Sequence, residues 1–309
     1  MNKSKRSALG DAVTADTMEI PLFTFVQFTD AHVGNRVNTP VHIRLEAAVN
    51  LANIIKPAFV VDTGDLTNDP VYEANASNLS EYTEYKKVVS LLEPPLYTIP
   101  GNHDIGYPEP KNTTRGDGNP WGEYGELVKA YQKEMGPLDQ SFDYKGFRFI
   151  LANNNPVCTG EPGYLSTKQL GWIEKLLRSG KTTFIFCHVQ VLENGTALPW
   201  GDAATSLVAL CEKYSVAAVM YGHKHEMHLT DFGGIPYIMC PDLKVPGHQG
   251  VFQYSVSRNH FEVWHYDVFE GTGTLAGNFR YPKHRSYKSS LDQIKGFSPQ
   301  RRKGRKERQ

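Results

Sequence analysis

The sequence predicts an α/β protein in which two mixed β-sheets stack as a sandwich with helices on both outer faces. Two observations carry this prediction. In each half of the chain, short apolar runs of strand length alternate with longer stretches of helical spacing, which is typical of parallel strands joined by right-handed crossovers. Each half then changes to closely spaced apolar runs, which indicates antiparallel pairing.

The first half opens with a buried strand over residues 22–28, because apolar side chains nearly fill that run. Helical spacing follows over 41–55 and stops before Pro57, since a residue preceding proline is disfavoured in a helix. The remaining elements predicted here are a strand core at 59–61, a helix at 78–92 ended by Pro94-Pro95, a strand at 96–99 and a hairpin at 141–152 turned at Lys145-Gly146.

The second half repeats the alternation before it becomes antiparallel. A helix is expected over 167–179, with Thr167 as its N-cap. The further elements predicted are a strand at 183–187, a helix at 203–214, a strand at 216–221, and strands near 227–232, 237–240, 252–257 and 261–266. Residues 105–124 are rich in Pro, Gly, Asn and Tyr, so we expect a long loop there, either a lid over the site or a solvated insertion.

Composition limits the class of protein. The 309 residues are 40% hydrophobic and 21% charged with a formal net charge of zero, so no global field favours nucleic acid or a membrane. No apolar run approaches the roughly 20 residues of a membrane helix. We expect a disordered leader at 1–19, a catalytic domain at 20–285 and a basic, disordered tail at 286–309. Four widely spaced cysteines without a C-x-x-C pair favour a reducing cytoplasm.

Five of the apolar runs end in residues that could bind metal ions. The first three runs lead into Asp30-Ala31-His32, Gly64-Asp65 and Gly101-Asn102-His103-Asp104. Two later runs lead into His188 and Gly222-His223-Lys224-His225. Ligands bind outside the carboxyl ends of parallel strands, so the side chains after the first three strands should share one rim. Imidazoles, carboxylates and an amide oxygen together suit Mn, Fe or Zn.

In this order, the blocks D-x-H, G-D, G-N-H-D, H and G-H-x-H resemble those of the calcineurin-like metallophosphoesterases. The resemblance covers residues 22–266 and is greatest to the class III cyclic-nucleotide phosphodiesterases. It implies a four-layer αββα sandwich and a hydrolase with two metal ions. The single-histidine block departs from the pattern, because Val189-Gln190 follows His188 where many members have further His-Pro residues. Purple acid phosphatases have a tyrosine at the position of Asn68, so a non-purple site is expected.

The resemblance also implies how the ligands divide between two ions. Asp65 would bridge both ions, as a carboxylate can place one oxygen on each. The first ion would be held by Asp30, His32 and His225, and the second by Asn102, His188 and His223. A hydroxide held between the ions would attack the phosphorus, with His103 beside the leaving oxygen and Asp104 orienting His103.

Several other residues are predicted to have structural roles. Asp62 is expected to cap a turn, and Tyr82 and Tyr85 to pack on the face of their helix. The histidines expected to be structural or exposed are His42, His228, His248, His260 and His265.

The substrate expected is a small phosphate ester, with a phosphodiester such as a cyclic nucleotide first. A phosphomonoesterase or nucleotide pyrophosphatase is the alternative, and a nuclease or a non-catalytic scaffold is less favoured. The basic run from Arg301 to Arg308 could tether nucleic acid, although a solvated tail is the simpler interpretation. The oligomeric state is left open, with a dimer allowed.

Overall fold

The structure is a computed structural model that describes residues 20–34, 41–68, 77–105, 120–155, 165–193, 196–197 and 202–282. Its helices are α1 (Val41–Ile55), α2 (Ser77–Val89), α3 (Asn102–Ile105), α4 (Pro120–Glu134), α5 (Thr167–Leu177) and α6 (Asp202–Tyr214). Its strands are β1 (Phe23–Phe28), β2 (Val60–Asp62), β3 (Leu96–Thr98), β4 (Gln140–Tyr144), β5 (Phe147–Leu151), β6 (Thr183–Phe186), β7 (Leu192–Glu193), β8 (Thr196–Ala197), β9 (Ala218–Tyr221), β10 (His228–Phe232), β11 (Ile235–Met239), β12 (Gly250–Val256), β13 (His260–Asp267) and β14 (Gly273–Arg280).

Two six-stranded mixed sheets form the body of the molecule. The first sheet has the order β14-β13-β12-β1-β2-β3, and the second has the order β10-β11-β9-β6-β5-β4. Strands β1, β2 and β3 are parallel, as are β5, β6, β9 and β11, while the outer strands pair antiparallel. This arrangement confirms the predicted sandwich, and it puts the carboxyl ends of the inner strands of each sheet at one edge.

The alternation of side chains along β1 explains the layers. Phe25 faces the aromatic core between the sheets, where it stacks on Phe59 and Tyr254. Val26, one position along, belongs to a second core beneath α1 and α2. A third core joins the second sheet to α5 and α6, and Ile185 of β6 is part of it. The order of layers is therefore helix, sheet, sheet, helix.

Three details differ from the sequence predictions. Residues 120–124, expected in a loop, begin α4, and Ile105 ends α3, while 106–119 lie outside the described residues. Proline is tolerated in the first turn of a helix, so Pro120 does not prevent α4. The N-cap of α5 is Ser166 rather than Thr167, because Ser166 and Gln169 form a capping box. Strand β14 and the short β7-β8 hairpin were not predicted.

Candidate metal centre

The predicted ligands meet where strands of both sheets end. Asp30 and His32 follow β1, Asp65 follows β2, and Asn102 begins α3 after β3. The second sheet supplies His188 after β6, with His223 and His225 after β9. The residues from five loops therefore lie at one rim of the sandwich, as the motif spacing predicts.

The backbone at this rim is unusual. Five of the predicted ligands have positive φ angles, namely +53° at Asp30, +44° at His32, +55° at Asp65, +77° at His223 and +57° at His225. Non-glycine residues rarely adopt the left-handed region, and such strain is found where surrounding structure enforces a functional geometry. The loops are thus shaped to aim these side chains inward.

The donor atoms form two groups that share one carboxylate. Asp30, His32, Asp65 and His225 make the first group, and Asp65, His188 and His223 make the second, with donor atoms within 4.8 Å of one another in each. Asp65 Oδ2 lies 3.5 Å from His32 Nε2 and 3.3 Å from His188 Nε2. A single oxygen therefore faces both groups, as expected for the residue that bridges two ions.

Closer contacts complete each group. In the first, His225 Nε2 lies 3.2 Å from both Asp30 Oδ1 and His32 Nε2. In the second, the amide oxygen of Asn102 lies 3.0 Å from His188 Nε2. Asn102 therefore lies with the second group, although an asparagine at this position would by itself indicate only a turn.

Buried atoms without hydrogen bonds test whether cations fit here. Within the described part of the chain, Asp30 Oδ1, His32 Nδ1 and His223 Nδ1 are buried and have no hydrogen-bond partner. Asp30 Oδ2, by contrast, accepts from the Thr29 hydroxyl at 2.6 Å and from the His223 amide at 2.9 Å. Unsatisfied buried polar atoms are costly, and a bound cation would satisfy the carboxylate oxygen. The Asp/His cluster fits a dinuclear metal site.

The protonation states of most of these Asp and His side chains suit metal binding. Burial lowers the pKa of His32 and of His223 to about 4, so both imidazoles are neutral. Burial acts to raise the pKa of Asp65, but His188 and His103 outweigh it and hold that pKa below its usual range. Ionised carboxylates and neutral imidazoles are the forms that bind metal ions. His188 differs, because burial is outweighed by Asp65, which raises the pKa of His188 to about 9.

Glycines allow the loops to approach this closely. A Cβ at Gly222 would overlap Thr29 Oγ1 and Asp30 Oδ2, on the opposite sheet. A Cβ at Gly101 would likewise overlap the backbone and carboxylate of Asp65. The glycines of the G-H-x-H and G-N-H-D blocks are therefore explained by contact between loops.

The structure gives Asp104 partners other than those expected. Its carboxylate accepts from the backbone amides of Gly101 at 2.7 Å, Leu66 at 3.2 Å and Thr67 at 3.0 Å, and from the Thr67 hydroxyl at 3.0 Å. The His103 ring instead pairs through Nδ1 with the carbonyl oxygen of Asn68. The orientation of His103 by Asp104 stays a prediction. Asp104 fastens the β2 loop to α3.

Helix α2 supports the same loops from below. The Tyr85 hydroxyl donates to Asp62 Oδ2 at 2.8 Å, and Asp62 Oδ1 accepts from the Gly64 amide, which confirms Asp62 as a turn residue. The Tyr82 hydroxyl donates to the Asp104 carbonyl at 3.2 Å. Both tyrosines are fully buried, so packing is confirmed, but these hydrogen bonds were not predicted.

Two further side chains that hold these loops by hydrogen bonds were not predicted from the sequence. The Asn154 side chain accepts from the amides of His188 and Val189 and donates to the Val189 carbonyl. Gln27 donates to Thr63 in the first sheet and to the Tyr221 carbonyl in the second. Their only sequence signal is position, because a polar residue inside or just after a buried strand needs a partner. None of the histidines predicted to be structural belongs to the two donor groups found among the described residues.

Comparison with known proteins identifies the family to which this geometry belongs. A family model described as calcineurin-like phosphoesterase matches residues 23–227, about two thirds of the chain. The chain belongs to the calcineurin-like phosphoesterase family. It is therefore a hydrolase of phosphate esters, and the Asp/His cluster fits the dinuclear metal site of this family.

Two curated relatives are similar over most of the chain. A probable glycerophosphodiester phosphodiesterase from Arcobacter nitrofigilis is 26% identical over 242 residues, which cover 72% of this chain and 78% of the relative. A probable cyclic nucleotide phosphodiesterase from Ruthia magnifica is 24% identical over 257 residues, covering 78% and 93% respectively.

Solved structures confirm the fold. A dimetal phosphatase from Danio rerio superposes with a TM-score of 0.61 at 15% identity, covering 85% of this chain and 100% of that one. A purple acid phosphatase from yellow lupin gives 0.60 at 17% identity, covering 83% and 53%. Among the described residues, no helix is long and apolar enough to cross a membrane.

Proposed function

We propose that the protein hydrolyses a small phosphodiester, with cyclic nucleotides as one candidate substrate. The observation that carries the metal-dependent reaction is the shared oxygen of Asp65, which faces both donor groups. The preference for a diester is supported by the relatives, whose names are those of glycerophosphodiester and cyclic nucleotide phosphodiesterases.

We assign the first ion to Asp30, His32 and His225, and the second to Asn102, His188 and His223, with Asp65 between. When bound, a pair of Mn, Fe or Zn ions supplies Lewis acidity that lowers the pKa of water and neutralises phosphoryl oxygens. The protein's own part is to hold these ligands in strained loops and to exclude other geometries.

We assign His103 as the catalytic proton donor to the leaving oxygen. Its ring centroid lies 4.5 Å from that of His32, beside the first donor group. A carbonyl oxygen can only accept, so Nδ1 donates to Asn68, and we place the transferred proton on Nε2. Asp104 is then a positioning residue, which acts through the loops that it joins.

The test compares two chromogenic esters. Protein loaded with Mn²⁺ should turn over bis(p-nitrophenyl) phosphate faster than p-nitrophenyl phosphate. Asn102→Ala should lower this turnover by about a hundredfold, because one ligand of the second ion is lost. Asn50→Ala, on the exposed face of α1, is the matched control. Absence of turnover with Mn, Fe and Zn alike, or full activity in Asn102→Ala, would contradict the proposal. A preference for the monoester would favour the phosphomonoesterase alternative.

The remaining assignments are proposals of lesser weight. We propose a catalytic domain over 20–285 and a cytoplasmic location, which is supported by three buried free cysteines among the described residues. Binding of nucleic acid by the basic tail at 286–309 stays a prediction, because these residues lie outside the described ranges. Dimer formation also stays a prediction.

A further inference from the structure

The α2 helix directs one acidic side chain toward the catalytic loops. Glu81 is only 8% exposed, and its Oε2 accepts from the backbone amide of Asn68 at 3.0 Å. A Cβ at Gly34 would overlap Glu81 Oε1, so the carboxylate lies against the segment that follows His32. Glu81 thus reaches both the D-x-H loop and the loop after Asp65.

The amide and carbonyl of Asn68 connect this carboxylate to the catalytic histidine. The Asn68 amide is shared between Glu81 Oε2 and the Val33 carbonyl, each at 3.0 Å. The carbonyl of the same residue accepts from His103 Nδ1. The acceptors of the Asn68 amide therefore help to hold the residue whose carbonyl accepts from the His103 ring.

We propose that Glu81 is a positioning residue for proton donation by His103, acting through Asn68; this rests on the proposed function of His103. An ionised Glu81 makes the bond to the Asn68 amide charge-assisted, and such a bond is stronger than the neutral bond to Val33. It holds the Asn68 carbonyl toward His103, which fixes the ring and keeps one proton on Nδ1. Nε2 of the imidazolium then faces the leaving oxygen and gives up its proton there, which leaves the neutral ring protonated at Nδ1.

This role differs measurably from mere support of the fold. A departing alkoxide or phenoxide needs a proton more as its basicity increases, so a misplaced acid slows poor leaving groups selectively. General loosening of the site would slow good and poor leaving groups alike. The pattern across leaving groups therefore separates the two roles.

The experiment measures kcat and KM of the Mn²⁺-loaded protein for bis(p-nitrophenyl) phosphate and for diphenyl phosphate, whose leaving phenoxide is more basic than nitrophenoxide. Glu81→Ala should lower kcat about tenfold with diphenyl phosphate and less than about twofold with the nitrophenyl ester, with KM unchanged. Glu81→Gln, which keeps an acceptor oxygen, should restore kcat to within about twofold. Glu84→Ala, exposed on the same helix, is the control and should change neither.

Equal losses with both esters, or no loss with either, would overturn the proposal. If Glu81→Ala does not fold, Glu81→Asp serves instead, because it keeps the charge but withdraws the oxygen from Asn68. The same selective loss is expected in that variant.

A second measurement does not depend on activity. Nitrogen-15 NMR of the metal-free protein should show the His103 ring protonated at Nδ1, and Glu81→Ala should show a mixture of tautomers. An unchanged tautomer in Glu81→Ala would refute the positioning role. If the wild-type protein hydrolyses neither ester, the proposed function fails, and the tautomer alone decides whether Glu81 positions His103.

Discussion

The two sheets contribute different chemistry to one site. Loops of the first sheet carry both carboxylates, Asp30 and Asp65, together with the Asn102 amide. In the part of the chain that the structure describes, loops of the second sheet contribute imidazoles alone to the donor groups. The negative charge that attracts cations therefore lies in the first sheet, and the second sheet completes the coordination.

The supports of the two halves differ as well. First-sheet loops are fastened to one another by Asp104 and to α2 by Tyr82 and Tyr85. In the second sheet, the Asn154 side chain holds the loop at His188 by accepting from the backbone amides of His188 and Val189. The halves meet where Gly222 touches Asp30, so the site exists only while the sheets stay in register.

The largest effect is expected from Asp65→Asn. This change removes the one charge that both donor groups share, so both ions should be lost and kcat/KM should fall about 10³-fold. Elemental analysis and activity together check it. Glu46→Gln, on the exposed face of α1, removes an equal charge and should retain both ions. Two ions retained by Asp65→Asn would mean that the carboxylate does not bridge.

A smaller effect is expected where the sheets meet. Gly222→Ala forces a methyl group against Thr29 and Asp30, which should cost about 1–3 kcal/mol of unfolding free energy and lower activity about a hundredfold. Gly171→Ala, in α5 with open space around it, should instead stabilise by about 0.5–1 kcal/mol. Denaturant unfolding and turnover of both variants check this. Normal activity in Gly222→Ala would show that the contact is dispensable.

Protonation distinguishes His188 from the neutral imidazoles of His32 and His223. Asp65 raises the pKa of His188 to about 9 against the effect of burial, whereas burial lowers that of His32 to about 4. Below about pH 9 a proton on His188 therefore competes with the second ion. The affinity of the site for that ion should rise about tenfold per pH unit up to about pH 9. Calorimetry in buffers of different ionisation enthalpy measures the released proton. Uptake of the second ion independent of pH would contradict this.

Much of this site could be predicted from the sequence, because buried parallel strands appear as apolar runs and ligands follow their carboxyl ends. Asp30, Asp65 and His188 were placed by that rule and by resemblance. Glu81 could not be, since its contact with Asn68 depends on how α2 packs and not on any local pattern. For the same reason, the contacts of Asp104 with Leu66 and Thr67 were not predicted.

Parts of the fold were hidden for a different reason. Helix α4 begins in a segment rich in Pro and Gly, and neither residue signals a helix interior. Strand β14 is largely exposed along its length, so it lacks the apolar run that revealed the inner strands. Periodicity detects elements that bury a face, and it missed the exposed edge strand β14.

The smallest effect tests whether Tyr85, in the third turn of α2, contributes to stability or to the chemistry of the site. Tyr85→Phe removes the hydroxyl that donates to Asp62 at 2.8 Å, so unfolding free energy should fall by about 1–2 kcal/mol. Metal content and activity should stay within about twofold, because Asp62 keeps its bond to the Gly64 amide. Loss of an ion in this variant would show that bracing of the first sheet reaches the donor groups. Retention of both ions would show that the Tyr85 hydroxyl stabilises the fold without serving the donor groups.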